Sequence, residues 1–371
     1  MVYPSRPGEI VIVRISRGFV ALTSWSVPRA GAEVPGEEVS VRRGCLVEEN
    51  LWPAPQRMNS IDELRGLSIV LMLIANFLVL FSRGLPLLLN HAQRGMILPL
   101  DLVAPLFGFG MGLSLPFTFV RTDGLIRRVL QRIIGLFIIG FIPNYIHRFL
   151  SIGEVVPALM RTWGILETWA LAYAVSAILM LCPPRWRLVP AGVMLAVYQG
   201  LVLASPQLTA RVRGLPEGGP MAAMLSWALL PVLGTVMVQW YVSRPRPDYT
   251  RKVLAVCVLL LSLGLVLHLA VAPADRLSVN GAYVLFSAAA VVLVFLGLQR
   301  YPLDRFPVLR RLGRAPLLVW LLQGVVYIPV YFTVGMSHFS WPLGAAMAAV
   351  SVFLVVHLAL RLGRAGVILR L

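Results

Sequence analysis

Two residues in the stretch 90–105, "NHAQRGMILPLDLVAP", carry side chains suited to proton transfer: His91 and Asp101. Imidazole is the side chain whose ordinary pKa lies near neutrality, so it can accept a proton from an amine and return it at physiological pH. A carboxylate hydrogen-bonded to it fixes the tautomer and raises its basicity. His91 sits in a short polar run, and Asp101 opens an apolar run that reads as a helix. They form either a dyad or two separate structural groups.

Other polar residues punctuate apolar segments. Asp62 and Arg65 in "SIDELRGLSIVLMLIANF" share a helix face at i, i+3, the arrangement of an interfacial ion pair. Asn76, deeper in the same run, fits an interhelical hydrogen bond. Glu167 in "RTWGILETWALAYA" is either a salt-bridged structural group or the lining of a polar cavity. Ala104, Gly108 and Gly112 recur every four residues, a stripe that either packs another helix closely or leaves room for a threaded ligand. His268 and His357 read as satisfied core histidines, His147 and His338 as loop residues. There is no P-loop, nucleophile elbow, HExxH or paired CxxC. Three scattered cysteines make neither a disulfide framework nor a metal site.

The elements that must position these groups are membrane helices. Hydrophobic residues make up 58% of the 371-residue chain and charged residues 13%, about half the share of a soluble globule. An apolar stretch of about 20 residues crosses a hydrocarbon core of about 30 Å. Stretches of this kind fall near 66–82, 98–120, 128–146, 163–182, 188–205, 221–243, 253–272, 280–299, 315–334 and 342–360, so the expectation is an all-α integral membrane protein, a polytopic bundle of about ten transmembrane helices. Basic residues beyond position 65 then divide eighteen to seven between the two sides, the minority being Arg83, Arg94, Arg148, Arg161, Arg211, Arg213 and Arg276. The positive-inside rule puts both termini in the cytoplasm and His91 outside. The +17 net charge lies in these short loop blocks, which argues against a nucleic-acid partner. Residues 1–57 read as a poorly ordered cytoplasmic extension or a start assigned too early, Met58 standing just before the first organised motif. Their run "EIVIVRIS" suggests a lone strand without a partner, and the interrupted apolar segment after it is a poor leader peptide. Residues 58–371 form the membrane domain.

The motifs together resemble the heparan-α-glucosaminide N-acetyltransferase family and its bacterial relatives. The opening "S-x-D-x-x-R-G" with a following Asn is matched by Ser60, Asp62, Arg65, Gly66 and Asn76. The external "H-A" followed by "D-L-V-x-P-x-F-x-F-x-M-G-x-S" is matched by His91, Ala92, Asp101, Leu102, Val103, Pro105, Phe107, Phe109, Met111, Gly112 and Ser114. "PNY" at Pro143, Asn144 and Tyr145 and the Gly164-Ile165-Leu166 turn are also similar. The late "GRAPLLVW" departs from the family's "G-R-N-x-L-x-x-Y" at Ala315 and Trp320, with Gln323 where some relatives have His; Glu167 and Thr168 replace a common Gln-Arg pair.

The resemblance implies a membrane-embedded acyltransferase that moves acetyl from cytosolic acetyl-CoA, as co-substrate, to an extracytoplasmic amino sugar or glycan. In that reading His91, Asp101 and Asn76 are catalytic. Asp62, Arg65, Asn144 and Glu167 contact substrate or co-substrate, and no metal takes part. The lipid bilayer is a partner, a homodimer is left open, and the location is a bacterial inner membrane. The rival class is a multi-pass transporter or flippase that recognises a solute or lipid-linked sugar without chemistry; its usual repeated halves with broken helices are not visible in the sequence.

Overall fold

The computed structural model describes residues 58–120, 124–155 and 162–366, together with 14–15 and 18–19. The last two pairs are strands β1 (Arg14–Ile15) and β2 (Gly18–Phe19), which pair antiparallel, so the run expected to be a lone strand meets a partner a tight turn later. The remaining expectations for 1–57 lie outside the described residues.

The membrane domain is helical. Helix α1 (Asn59–Phe81) leads into β3 (Ser82–Arg83), then the His91 segment, a 3-10 turn at Pro99–Leu102 and α2 (Val103–Phe119). Next come α3 (Leu125–Ile152), α4 (Ile165–Leu179), α5 (Leu188–Ala204), α6 (Pro206–Arg213), α7 (Gly219–Ala222), a π turn at Ala223–Trp227 and α8 (Leu229–Ser243). The chain closes with α9 (Arg246–Ala270), α10 (Gly281–Arg300), α11 (Pro307–Gly313), α12 (Pro316–Val334), β4 (Phe339–Ser340) and α13 (Trp341–Arg364). Parallel pairing of β3 with β4 ties the C-terminal end of α1 to the α12–α13 connection.

Among the described residues seven helices are long and apolar enough to span a bilayer, or eight if the bent pair α5–α6 is one span, against the expected ten. Helix α4, at 15 residues, is about 22 Å long and falls short of a hydrocarbon core of about 30 Å. Helix α5 stops at Ser205, whose hydroxyl accepts from the Leu208 N–H at 3.2 Å to cap α6, and the chain turns by 111° there. Helix α3 has the length but is not among the seven; it opens with Arg127, Arg128 and Arg132 and carries Pro143 and Asn144 inside. His147 lies within this helix and not in a loop. His357 is exposed on α13, beside Phe353, and is no core residue.

Packing radiates from α2. Its small-residue stripe is filled by protein: a Cβ on Gly108 would meet the Trp169 ring at 2.1 Å, and one on Gly112 the Pro231 carbonyl oxygen at 2.0 Å. Close packing, not a threaded ligand, accounts for the stripe at these two positions. Trp169, Trp227 and Tyr283 continue the core as edge-on pairs at 5.1 and 5.9 Å. On the outside, Leu254, Val258, Leu259, Leu263 and Leu265 of α9 are exposed, an apolar surface suited to lipid. The protein is an integral membrane protein.

Candidate functional site

The site begins with Asp101. Pro99 starts the 3-10 turn, where its missing N–H costs nothing, and two residues later the Asp101 carboxylate turns back to accept from the Leu98 N–H at 2.9 Å. The same oxygen accepts from the Ala92 N–H at 3.1 Å, and the other faces His91 Nδ1 at 2.9 Å and the Arg276 Nε at 3.6 Å. The carboxylate side chain is wholly buried while His91 is 30% exposed. With donors converging on both oxygens Asp101 is acceptor only, so Nδ1 of His91 carries the hydrogen, and in the neutral form of the ring Nε2 is the nitrogen with the lone pair. That is the tautomer a general base requires.

Two distant segments complete the arrangement. Gly95 holds the His91 segment in place by donating its N–H to the Ala274 carbonyl at 2.7 Å, in a left-handed conformation (φ 90°) that suits glycine. The segment after α9 is in turn shaped by Asn280, which caps α10 at Tyr283, accepts from the Asp275 N–H and donates to the Pro273 carbonyl at 2.8 Å. Arg276 thereby lies between Asp101 and Glu217, its other contact to Glu217 being 3.1 Å. Burial opposes the charge on this guanidinium, but Glu217, Tyr283 and Asp101 outweigh it and lift its pKa above the ordinary arginine value. The Tyr283 hydroxyl donates to the Asp101 carbonyl at 2.7 Å, fixing the backbone as well.

A cavity of about 90 Å³ opens beside this network, bounded by Asn76 of α1, Ala104 and Phe107 of α2, Leu166 and Trp169 of α4, and by His91, Asp101, Glu217 and Arg276. Asn76 also donates to the Gln323 side chain of α12 at 3.3 Å, the interhelical hydrogen bond expected of it. The structure thus collects His91, Asp101 and Asn76 at one cavity.

The other sequence candidates lie elsewhere. Arg65 reaches from α1 to the Gly110 carbonyl at 3.2 Å and to the Ser114 hydroxyl. Asp62 faces Arg314 at 3.6 Å, and its neighbour Glu63, fully buried, pairs with Arg310 at 2.5 Å. These residues stand at the other end of α1, beside a groove of about 430 Å³ lined by Arg311, Arg314 and Arg364 with Leu318 and Val319. Asn144 donates to Glu167 at 3.3 Å between α3 and α4; a Cβ at Gly140 or Gly164 would press on that pair. Glu167 is one residue from the cavity-lining Leu166 but is not itself part of the lining.

Sequence reading missed Glu217, Arg276 and Tyr283. Arg276 had counted only as a loop charge; the polar run "PADRLSVNG", compact and rich in Asx and Ser, was the signal that its segment is a built turn.

No curated protein matches the chain. The family model described as heparan-alpha-glucosaminide N-acetyltransferase, catalytic, matches residues 57–250, a span that holds Asn76, His91, Asp101 and Glu217 but not Arg276 or Tyr283. Since that match covers more than half of the 371 residues, the chain belongs to the heparan-alpha-glucosaminide N-acetyltransferase family.

Proposed function

We propose that the protein transfers an acetyl group from acetyl-CoA, taken from the cytosol, to the amine of an amino sugar or glycan on the other side of the membrane, with His91 as general base. The observation that carries this reading is the His91–Asp101 hydrogen bond at the mouth of a cavity that also contains Asn76. The family match supports a transferase over the transporter reading.

Acetyl-CoA supplies an activated thioester. His91 Nε2 removes the proton from the attacking amine as the carbon–nitrogen bond forms, and gives it to the departing thiolate as the carbon–sulfur bond breaks. Asp101, clamped by Arg276, stabilises the imidazolium formed between those steps. Asn76, on the cavity wall, polarises the thioester carbonyl through its amide. At the other end of α1 the groove lined by Arg311, Arg314 and Arg364 has the charge to take a polyanionic nucleotide, and Leu318 and Val319 give it an apolar side suited to the pantetheine arm. Asp62 and Arg65 shape that end, and Asn144 with Glu167 braces the start of α4 behind the cavity.

The test is incubation of purified protein in detergent with acetyl-labelled acetyl-CoA and glucosamine. Amine-dependent appearance of N-acetylglucosamine with free CoA is expected; binding of either compound without acyl loss would overturn the reading.

A further inference from the structure

Glu217 has features that the reaction above does not use. One carboxylate oxygen takes Arg276 at 3.1 Å, whereas the other is sealed from the surface and has no hydrogen-bond partner among the described residues. A buried carboxylate oxygen left bare costs free energy, so a donor is the expected complement. The residue is also held against its backbone preference, at φ 52° and ψ 30°, between Pro216 and the paired glycines Gly218 and Gly219, and its carbonyl accepts from the Trp227 indole at 3.0 Å. A strained non-glycine residue that lines a cavity is the kind of position at which binding function concentrates.

Charge around the cavity points the same way. Its ionisable lining residues are His91, Asp101, Glu217 and Arg276. Two carboxylates face one guanidinium, and with a neutral imidazole the set carries one negative charge. A low-dielectric cavity with an uncompensated negative charge favours a cationic occupant. We propose that Glu217 is the specificity-determining residue of the acceptor subsite: the negative charge it adds to the cavity lining favours a protonated amine and so selects amino sugars over the corresponding alcohols. A bound ammonium has no lone pair, so it releases one proton to solvent before its nitrogen attacks, and His91 takes the second as the carbon–nitrogen bond forms. This inference rests on the transferase reading only for the purpose of the selected amine; the binding preference stands apart from it.

The experiment measures equilibrium binding of labelled glucosamine to the full-length protein in detergent, with unlabelled glucosamine and glucose as competitors. In the wild type glucose should compete at least about ten-fold more weakly, because a buried charged partner left unpaired is costly. Glu217→Gln should weaken glucosamine binding by at least about ten-fold and leave glucose nearly unchanged, while Glu217→Asp retains part of the preference. Equal competition by the two sugars, no measurable glucosamine binding, or a Glu217→Gln protein that binds glucosamine like wild type would each overturn the proposal. If Glu217→Gln does not fold, Glu217→Asp decides: wild-type discrimination between the two sugars in that protein would overturn the proposal. Selective amine binding without acetyl transfer would instead sink the transferase reading and keep this one.

Discussion

Asp101 is the residue on which most of the site depends, and its four donors change what a substitution there should do. From sequence, Asp101→Asn reads as mild, since an amide keeps the shape and loses only charge. The structure argues otherwise. If the amide oxygen faces His91, its NH2 points at the Ala92 and Leu98 N–H groups; if it is flipped, the NH2 faces His91 and forces the wrong tautomer. Either orientation leaves buried donors facing one another, at about 1–3 kcal/mol of stability. Asp101→Asn should therefore lower the melting temperature in detergent and also reduce turnover by at least about ten-fold. Wild-type melting with normal turnover would show that the carboxylate is dispensable. His91 and Asp101 were legible because a histidine near an intramembrane acid is rare and the spacing matched a family pattern. Arg276 was not, because its partner Asp101 is far away in sequence and only the folded turn brings them together.

At the scale of elements, the apolar runs located most helices correctly but did not show where a helix breaks within a run. Helix α5 shows why. Its composition passes for a span, while the capping Ser205 followed by Pro206 ends it, a short-range signal that hydropathy averaging erases. The opening motif has an element-scale explanation as well. Gly66 is where α1 meets the Leu309 backbone of α11: a Cβ there would lie 1.9 Å from the Leu309 carbonyl oxygen, and one on Gly313 at 1.9 Å from that of Asp62. Two glycines far apart in the chain thus allow one helix crossing, beside the arginine groove. Gly66→Ala should push α11 outward and cost about 1–3 kcal/mol, measured as loss of monodisperse protein on heating. The change Gly297→Ala, where a Cβ meets nothing within 4 Å, should be close to neutral or slightly stabilising. Equal behaviour of the two variants would contradict the packing at this crossing.

For the whole molecule, transfer across a bilayer requires that the two ends of α1 serve different compartments: the arginine groove with Asp62 at one end, His91 and the Arg276 segment towards the other. We infer from the loop arginines that the groove end is cytoplasmic, along with both termini. Cysteine placed at Gln93 should then react with an impermeant reagent from outside intact cells, and cysteine placed at Arg311 only after lysis; the reverse pattern would invert the orientation. The proposed chemistry turns on His91 moving the proton. General-base catalysis is worth roughly 10²–10⁴-fold in rate, and His91 is partly exposed, its side chain hydrogen-bonded to Asp101. The most direct test is turnover of acetyl-CoA and glucosamine at saturating concentrations of both by His91→Ala protein whose size-exclusion profile matches wild type. A base at His91 predicts a loss of at least about 100-fold with acetyl-CoA binding retained; near-normal turnover would contradict that role.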